Sequence, residues 1–342
     1  MILQERIDAF SRLGKRVEAG LINNVYEPEL IAAENANGWF TLENTRPALS
    51  AIAEKFLDRR KISEWLSSYT IVEPPKPVKI AIVMAGNVPL AGWHDVMCVL
   101  LLGHKVLIKS SSKDDVLIKL LLDELIDIEV RFHNFIEFAV RMEIFDAVIA
   151  TGSNNTFRYF EYYFGKYPHL LRKNRNSVAV LSADQPVEDL NALGSDIFSY
   201  FGLGCRNVSK MYVPEGYSFT KFFDSIENFF YVENHNKYKN NYDYNKSIFL
   251  LNKEIHFDNG FLLARESAWL SSPMACIHYE FYSTERQLRE TLESLKEDIQ
   301  CIVGDTGLIS DAISFGTTQQ PELWDYADRV DTITKIQEMA KA

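Results

Sequence analysis

No run in these 342 residues approaches the roughly 18 consecutive apolar residues of a membrane-spanning helix. Cysteine is scarce. Cys98, Cys205, Cys276 and Cys301 lie far apart with no C-x-x-C pair, so neither a disulfide framework nor a zinc site is indicated. This usage fits a reducing, cytoplasmic setting. The seven histidines form no H-x-x-x-H pair, so no metal is assigned. Basic charge is in deficit: 36 Lys and Arg against 47 Asp and Glu leave a net charge of −11. That argues against a nucleic-acid partner but leaves room for a local basic pocket. MILQERIDAFSRLGKRVEAG lacks the continuous apolar stretch of a signal peptide. There is no internal repeat and no low-complexity tract.

What is present is a change of periodicity. Residues 1–72 carry apolar side chains at i, i+3 and i+4, most clearly in ERIDAFSRLGKRVEAG and ALSAIAEKFLDRRKISEWLSSY, and are predicted helical. Glu73-Pro74-Pro75-Lys76-Pro77 stops any helix. An alternation then begins, with strands expected in VKIAIVMAG, KVLIKS, FIEFAV, FDAVIATG and SVAVLSA. Helices are expected between them, including one from Pro89 to Gly103. Such spacing implies a parallel sheet covered on both faces. After Lys210 the texture turns aromatic, with strands expected in SIFLLN and ACIHYEFYS and a helix in ERQLRETLESLKED. The tail from 311 is expected to add one strand and one helix. The chain is thus read as α/β: a helical segment (1–72), a Rossmann-type parallel-sheet cofactor domain (73–183), a second α/β catalytic domain (184–310) and a tail (311–342).

Four segments carry candidate chemistry. Asn87, in AGNVP at a strand's carboxyl end, either donates to a developing oxyanion or merely holds its own turn. Lys109, followed by Ser110, Ser111 and Ser112, either meets a ribose or phosphate at a helix N-terminus or is a solvated Lys before an N-cap Ser. Thr151, Gly152 and Ser153 offer a second phosphate loop, or a simple glycine turn with a cap. Cys205, in FGLGCRN, follows a G-x-G turn with Arg206 beside it and reads as an exposed nucleophile. Arg206 and Lys210 either lower its pKa or simply face solvent. Cys98, Cys276 and Cys301 lie in apolar runs and read as buried structural thiols. Arg172 to Arg175 read either as a phosphate-facing run or as a solvated loop.

Taken in order, N-x-P, K-S-S-S, T-G-S and G-x-G-C resemble the aldehyde dehydrogenase superfamily. IAIVMAGNVPL, FDAVIATGSN and YFGLGCRNVSKMYVPEGY more narrowly resemble the LuxC-type acyl-CoA reductase family of bacterial bioluminescence. The resemblance covers about residues 75–330 and implies an aldehyde-dehydrogenase-like fold. Cys205 would accept the acyl group, and Asn87 with the Cys205 amide would hold the oxyanion. Lys109 would bind the adenosine ribose, with Ser110, Ser112, Thr151, Gly152 and Ser153 around the cofactor. The implied reaction is reduction of a fatty acyl thioester to an aldehyde with NADPH. The acyl group would arrive on CoA or acyl-carrier protein, and an acyl-transferring enzyme is a possible partner. Two departures sharpen this. The water-activating Glu of hydrolytic relatives falls on or near Leu171, and the acid that disfavours a 2′-phosphate is replaced by Ser112, followed by Lys113. An acyl-phosphate reductase, an aldehyde oxidiser and a non-catalytic acyl-partner-binding module are the alternatives.

Overall fold

Phe10, Leu13 and Val17 recur at helical spacing. In the computed structural model, which describes residues 1–139 and 141–341, they form the buried stripe of α1 (Leu3–Ile22). Helices α2 (Glu27–Ala36), α3 (Leu42–Ala51) and α4 (Arg59–Ser67) follow. The helix expected over 48–69 is interrupted: Ile52–Phe56 is a π-helical turn, and Asp58 caps α4 by accepting the Lys61 amide at 2.9 Å. The proline segment is pinned to α1, since the buried Arg6 guanidinium pairs with Glu73 at 2.9 Å.

Strands β1 (Lys79–Val83), β2 (Lys105–Lys109), β3 (Ile136–Phe138), β4 (Ala147–Thr151) and β5 (His169–Arg172) make a parallel sheet in the order β3-β2-β1-β4-β5. Helices α5 (Trp93–Leu101), α6 (Val116–Ile128) and α7 (Asn154–Phe164) lie between them in sequence. One sheet face, with Ile80, Ile82, Val106, Ile108 and Ile149, buries with residues of α1, α5 and α6. The other, with Ala81, Leu107, Val148 and Ala150, buries with Phe160 of α7. Near-continuous apolar strands follow from that two-sided cover. The expected strand FIEFAV ends at Phe138, and its last residue, Val140, lies outside the described residues. Pro89 precedes α5 rather than opening it, because Leu90 adopts φ 58° and the helix starts at Trp93.

The second sheet contains β6 (Asn176–Val180), β7 (Val208–Pro214), β8 (Phe257–Asp258), β9 (Leu263–Glu266), β10 (Cys276–Tyr282), β11 (Ile299–Val303) and β12 (Ala312–Ile313). Its order is β12-β11-β6-β7-β10-β9-β8, with β8 antiparallel to β9 and the other pairs parallel. Helices α8 (Val187–Phe198), α9 (Phe219–Ser225), α10 (Asn236–Leu251) and α11 (Glu285–Ser294) belong to it. SIFLLN, expected as a strand, is the end of α10. Tyr238, Tyr242, Asn245 and Phe249 are buried at helical spacing, which overrides the local β preference of that short run.

The chain divides into two units, Met1–Asn174 with Pro321–Ala342, and Arg175–Gln320. The boundary therefore falls nine residues before the expected 183/184, because β6 pairs with β7 and β11 rather than with the first sheet. The tail is shared out: β12 joins the second sheet, while α12 (Thr332–Met339) buries Ile333 and Ile336 in the first core.

Candidate functional site

In the first unit the strand order reverses between β1 and β4, and the carboxyl edge at such a switch point is where open α/β sheets take ligands. The predicted cofactor residues gather there. Lys109 ends β2 opposite Val83, and Thr151 ends β4 one residue beyond Ala150, which also pairs with Val83. Asn87 is exposed in the loop after β1. Two glycines let backbone come close at this edge. A Cβ on Gly86 would meet the Ser111 hydroxyl at 2.2 Å, and one on Gly152 would meet the Phe160 ring at 2.8 Å. Ser153 caps α7, its Oγ accepting the Thr156 amide at 3.3 Å.

The loop after Lys109 departs from expectation. The serines do not sit at the helix N-terminus: Asp115 holds the N-cap position of α6, and Ser110 Oγ donates to Asp115 Oδ1 at 2.6 Å. Ser112 and Lys113 are exposed.

Asp114 was not singled out from sequence, where it reads as one more acid before a helix. It is 3% exposed. Its Oδ2 accepts the Leu90 amide at 2.6 Å, and Oδ1 is buried without a partner. The carboxylate thus latches the Asn87-bearing loop at its one left-handed residue. Burial, opposed by the Leu90 amide and helped by neighbouring Asp115, pushes its carboxyl up to about 7. A carboxyl raised in the folded state binds its proton more tightly there than in the unfolded chain. Its stabilising contribution therefore grows as pH falls from about 7 towards the unfolded value and is lost above it. Denaturant unfolding at pH 6 and pH 8 is expected to show the wild type losing about 1 kcal/mol more than Asp114→Asn over that interval. Equal losses would refute this account.

In the second unit Cys205 lies in a turn three residues before β7, at the amino end of that strand. It is half-buried, whereas Cys98, Cys276 and Cys301 are buried. Burial pushes the Cys98 thiol up and the Cys276 thiol to about 12, so these are poor nucleophiles at neutral pH. The approach to the turn is strained: Tyr200 and Phe201 both hold left-handed backbone, with φ 52° and 56°. Packing holds them there, the Phe201 ring lying 4.3 Å from that of His235. The turn itself is bonded on both sides of the thiol. Asn207 Oδ1 accepts the Gly204 amide at 2.8 Å, and the Cys205 carbonyl accepts from Ser177 Oγ at 3.0 Å.

Four of the cations singled out from sequence have partners of their own. Lys210 is fully buried and committed to Glu280 at 2.5 Å and to the Ala268 carbonyl at 3.0 Å. Arg206 donates to the Thr318 carbonyl at 2.5 Å. In the run Arg172 to Arg175, Lys173 and Asn174 are exposed, as a solvated loop would have them, but the two arginines are buried. Arg172 is buried in β5 against Asp95 at 2.6 Å and Thr332 at 2.9 Å, and buried Arg175 faces Glu297. Leu171 sits in β5 beside Ala150 and packs with the apolar side of that sheet.

Among the described residues no helix is long and apolar enough to cross a membrane, and no cluster of three or more His, Cys, Asp or Glu is arranged to hold a metal ion.

A doubly wound parallel sheet of order 3-2-1-4-5, and a second, mostly parallel sheet entered through a cysteine turn, define an aldehyde-dehydrogenase-like α/β fold. The chain resembles aldehyde dehydrogenase 21 from Physcomitrella patens, solved with the reaction product succinate (TM-score 0.68, 13% identity, 99% of this chain and 85% of that one). It also resembles an NADP-dependent enzyme of E. coli (TM-score 0.66, 13% identity, 91% and 75%). Betaine aldehyde dehydrogenase of Staphylococcus aureus, solved with NAD+, is similar too (TM-score 0.61, 12% identity, 91% and 74%). No protein-family profile matches the sequence, and no curated protein matches it significantly.

Proposed function

We propose that this chain is an NADPH-dependent acyl-thioester reductase that works through an acyl-Cys205 intermediate. The observation that carries the proposal is Cys205 itself: of four cysteines it alone is not buried, and hydrogen bonds fix the backbone of its turn. The substrate is an acyl-CoA or acyl-carrier-protein thioester. The Cys205 thiolate attacks the acyl carbonyl, the bond to the carrier sulfur breaks, and the carrier thiol leaves with a proton. The Asn87 amide donates to the oxyanion of that step. When bound, a reduced nicotinamide supplies hydride to the acyl carbon. The thiohemiacetal left on Cys205 collapses to release aldehyde and regenerate the thiol.

Nucleotide binding is supported by the switch point between β1 and β4 and by Lys109 and Thr151 at that edge. Preference for the 2′-phosphate is supported by exposed Ser112 and Lys113 behind Lys109, while Asp115 pairs with Lys119 and Ser110. Reduction rather than hydrolysis is supported by Leu171, an apolar strand residue where hydrolytic relatives are expected to carry their base.

Without that base the acyl-enzyme persists. Acyl-CoA without NADPH is expected to release carrier thiol in a burst of about one equivalent and then nearly stop, since water is not activated. NADPH then restarts turnover and yields aldehyde. Continuous release without cofactor, at a rate near that with it, would make the protein a thioesterase. Aldehyde oxidation or acyl-phosphate turnover in place of the burst would select the other reactions of this fold. Failure to bind NADPH would favour a non-catalytic acyl-binding role.

A further inference from the structure

The residues on either side of Cys205 are located from a single buried carboxylate-bearing residue. Asp196 lies in α8 and is 1% exposed. Its Oδ2 accepts the Gly316 amide at 2.6 Å and its Oδ1 the Thr318 amide at 3.0 Å, which ties down the segment that follows β12. Arg206 reaches that same segment through the Thr318 carbonyl at 2.5 Å. The main-chain carbonyl of Asp196 accepts Asn207 Nδ2 at 3.0 Å, and the same amide donates to the Ser199 carbonyl at 2.9 Å. Asn207 Oδ1 then holds the Gly204 amide at 2.8 Å. Gly204, Arg206 and Asn207 thus refer to one residue, and Cys205 is enclosed between them.

We infer that Asp196 is a positioning residue for Cys205, holding the thiol's turn in its strained geometry so that the nucleophile is aimed before substrate arrives. This rests on Cys205 being the acyl acceptor. The physical need is visible in the backbone. Left-handed Tyr200 and Phe201 persist only where the surroundings over-determine them, and the Asp196 connections supply that on the downstream side. A buried carboxylate is costly unless its oxygens are satisfied, and here backbone amides satisfy both. Burial raises its carboxyl above the ordinary value, with the Gly316 and Thr318 donors opposing the rise.

Position and charge predict different results. A carboxylate that acted on Cys205 by charge would disfavour the thiolate, so its removal would lower the thiol pKa and speed the reaction near neutral pH. Loss of position slows acylation and leaves the thiol pKa in place. The experiment uses the full chain with Asp196→Asn, which keeps one acceptor oxygen, and Asn207→Ala, which cuts the turn locally. Single-turnover acylation by acyl-CoA is followed by intact-protein mass spectrometry. Iodoacetamide labelling of the Cys205 peptide across pH reports the thiol pKa. Thermal unfolding checks that each variant is folded. The expected result is a fall of about 100-fold in acylation, as for a misplacement of about 1 Å, with the labelling pH profile moved by less than one unit. If Asp196→Asn does not fold, Asp196→Glu, which keeps the charge and moves the carboxylate, decides on the same readout. Wild-type acylation in a folded variant, or a pKa change large enough to account for the loss, would overturn the inference. A wild type that takes up no acyl group at any cysteine would instead refute the reductase proposal, and this inference with it.

Discussion

Cys205→Ala is expected to take up no acyl group from acyl-CoA and to produce no aldehyde with NADPH, while Cys98→Ala and Cys301→Ala still acylate. The loss should be complete, because the chemistry begins with a sulfur–carbonyl bond that no other thiol in the chain is placed to make. Cys98 is buried in α5 at hydrogen-bond distance from His94, Cys276 opens β10 with its thiol held protonated, and Cys301 is buried in β11 against Ser177. Peptide mapping of the acylated wild type is the direct measurement. An adduct that survives in Cys205→Ala would end the mechanism proposed here, whatever cofactor the protein binds.

Asn87→Ala is expected to keep NADPH affinity and lose about 10²–10³ in turnover, the usual cost of one oxyanion donor. The effect should fall on kcat rather than KM, since the amide is needed where charge develops and not where the cofactor sits. Asn87 follows β1 in a loop anchored by the Asp114–Leu90 bond, so the substitution removes an exposed side chain without cutting that anchor. Wild-type turnover in Asn87→Ala would leave this residue a turn-former and reassign the oxyanion to other donors.

How far this was legible in advance depends on the range of the interaction concerned. The alternation of apolar strands and amphipathic helices from Lys79 to Val180 is local, and so a parallel sheet could be read directly. Cys205 could be picked out because its Gly-flanked context differs from three cysteines in apolar runs, a contrast contained within a few neighbouring residues. The failures share a cause. SIFLLN reads as a strand by itself and becomes helix because α10 buries Phe249 with residues a turn or more away. β5 was missed because HLLR is short and lies at the sheet edge, where only pairing with β4 defines it. The domain boundary was misplaced because SVAVLSA looks like any other strand, and the sheet it joins depends on partners far along the chain.

From the sequence alone came the α/β class, the order of candidate loops, the candidate nucleophile and the apolar residue at position 171. Only the tertiary structure decided which charges are available to chemistry. Arg172 and Lys210 read as surface cations until Asp95 and Glu280, 77 and 70 residues away, are found against them. Asp114 reads as one more acid before a helix and Asp196 as one more acid within one, until their oxygens are found on the amides of Leu90, Gly316 and Thr318. The physical reason is that periodicity is set by neighbours a few residues apart, whereas the cost of burying a charge is offset only by partners that folding brings together.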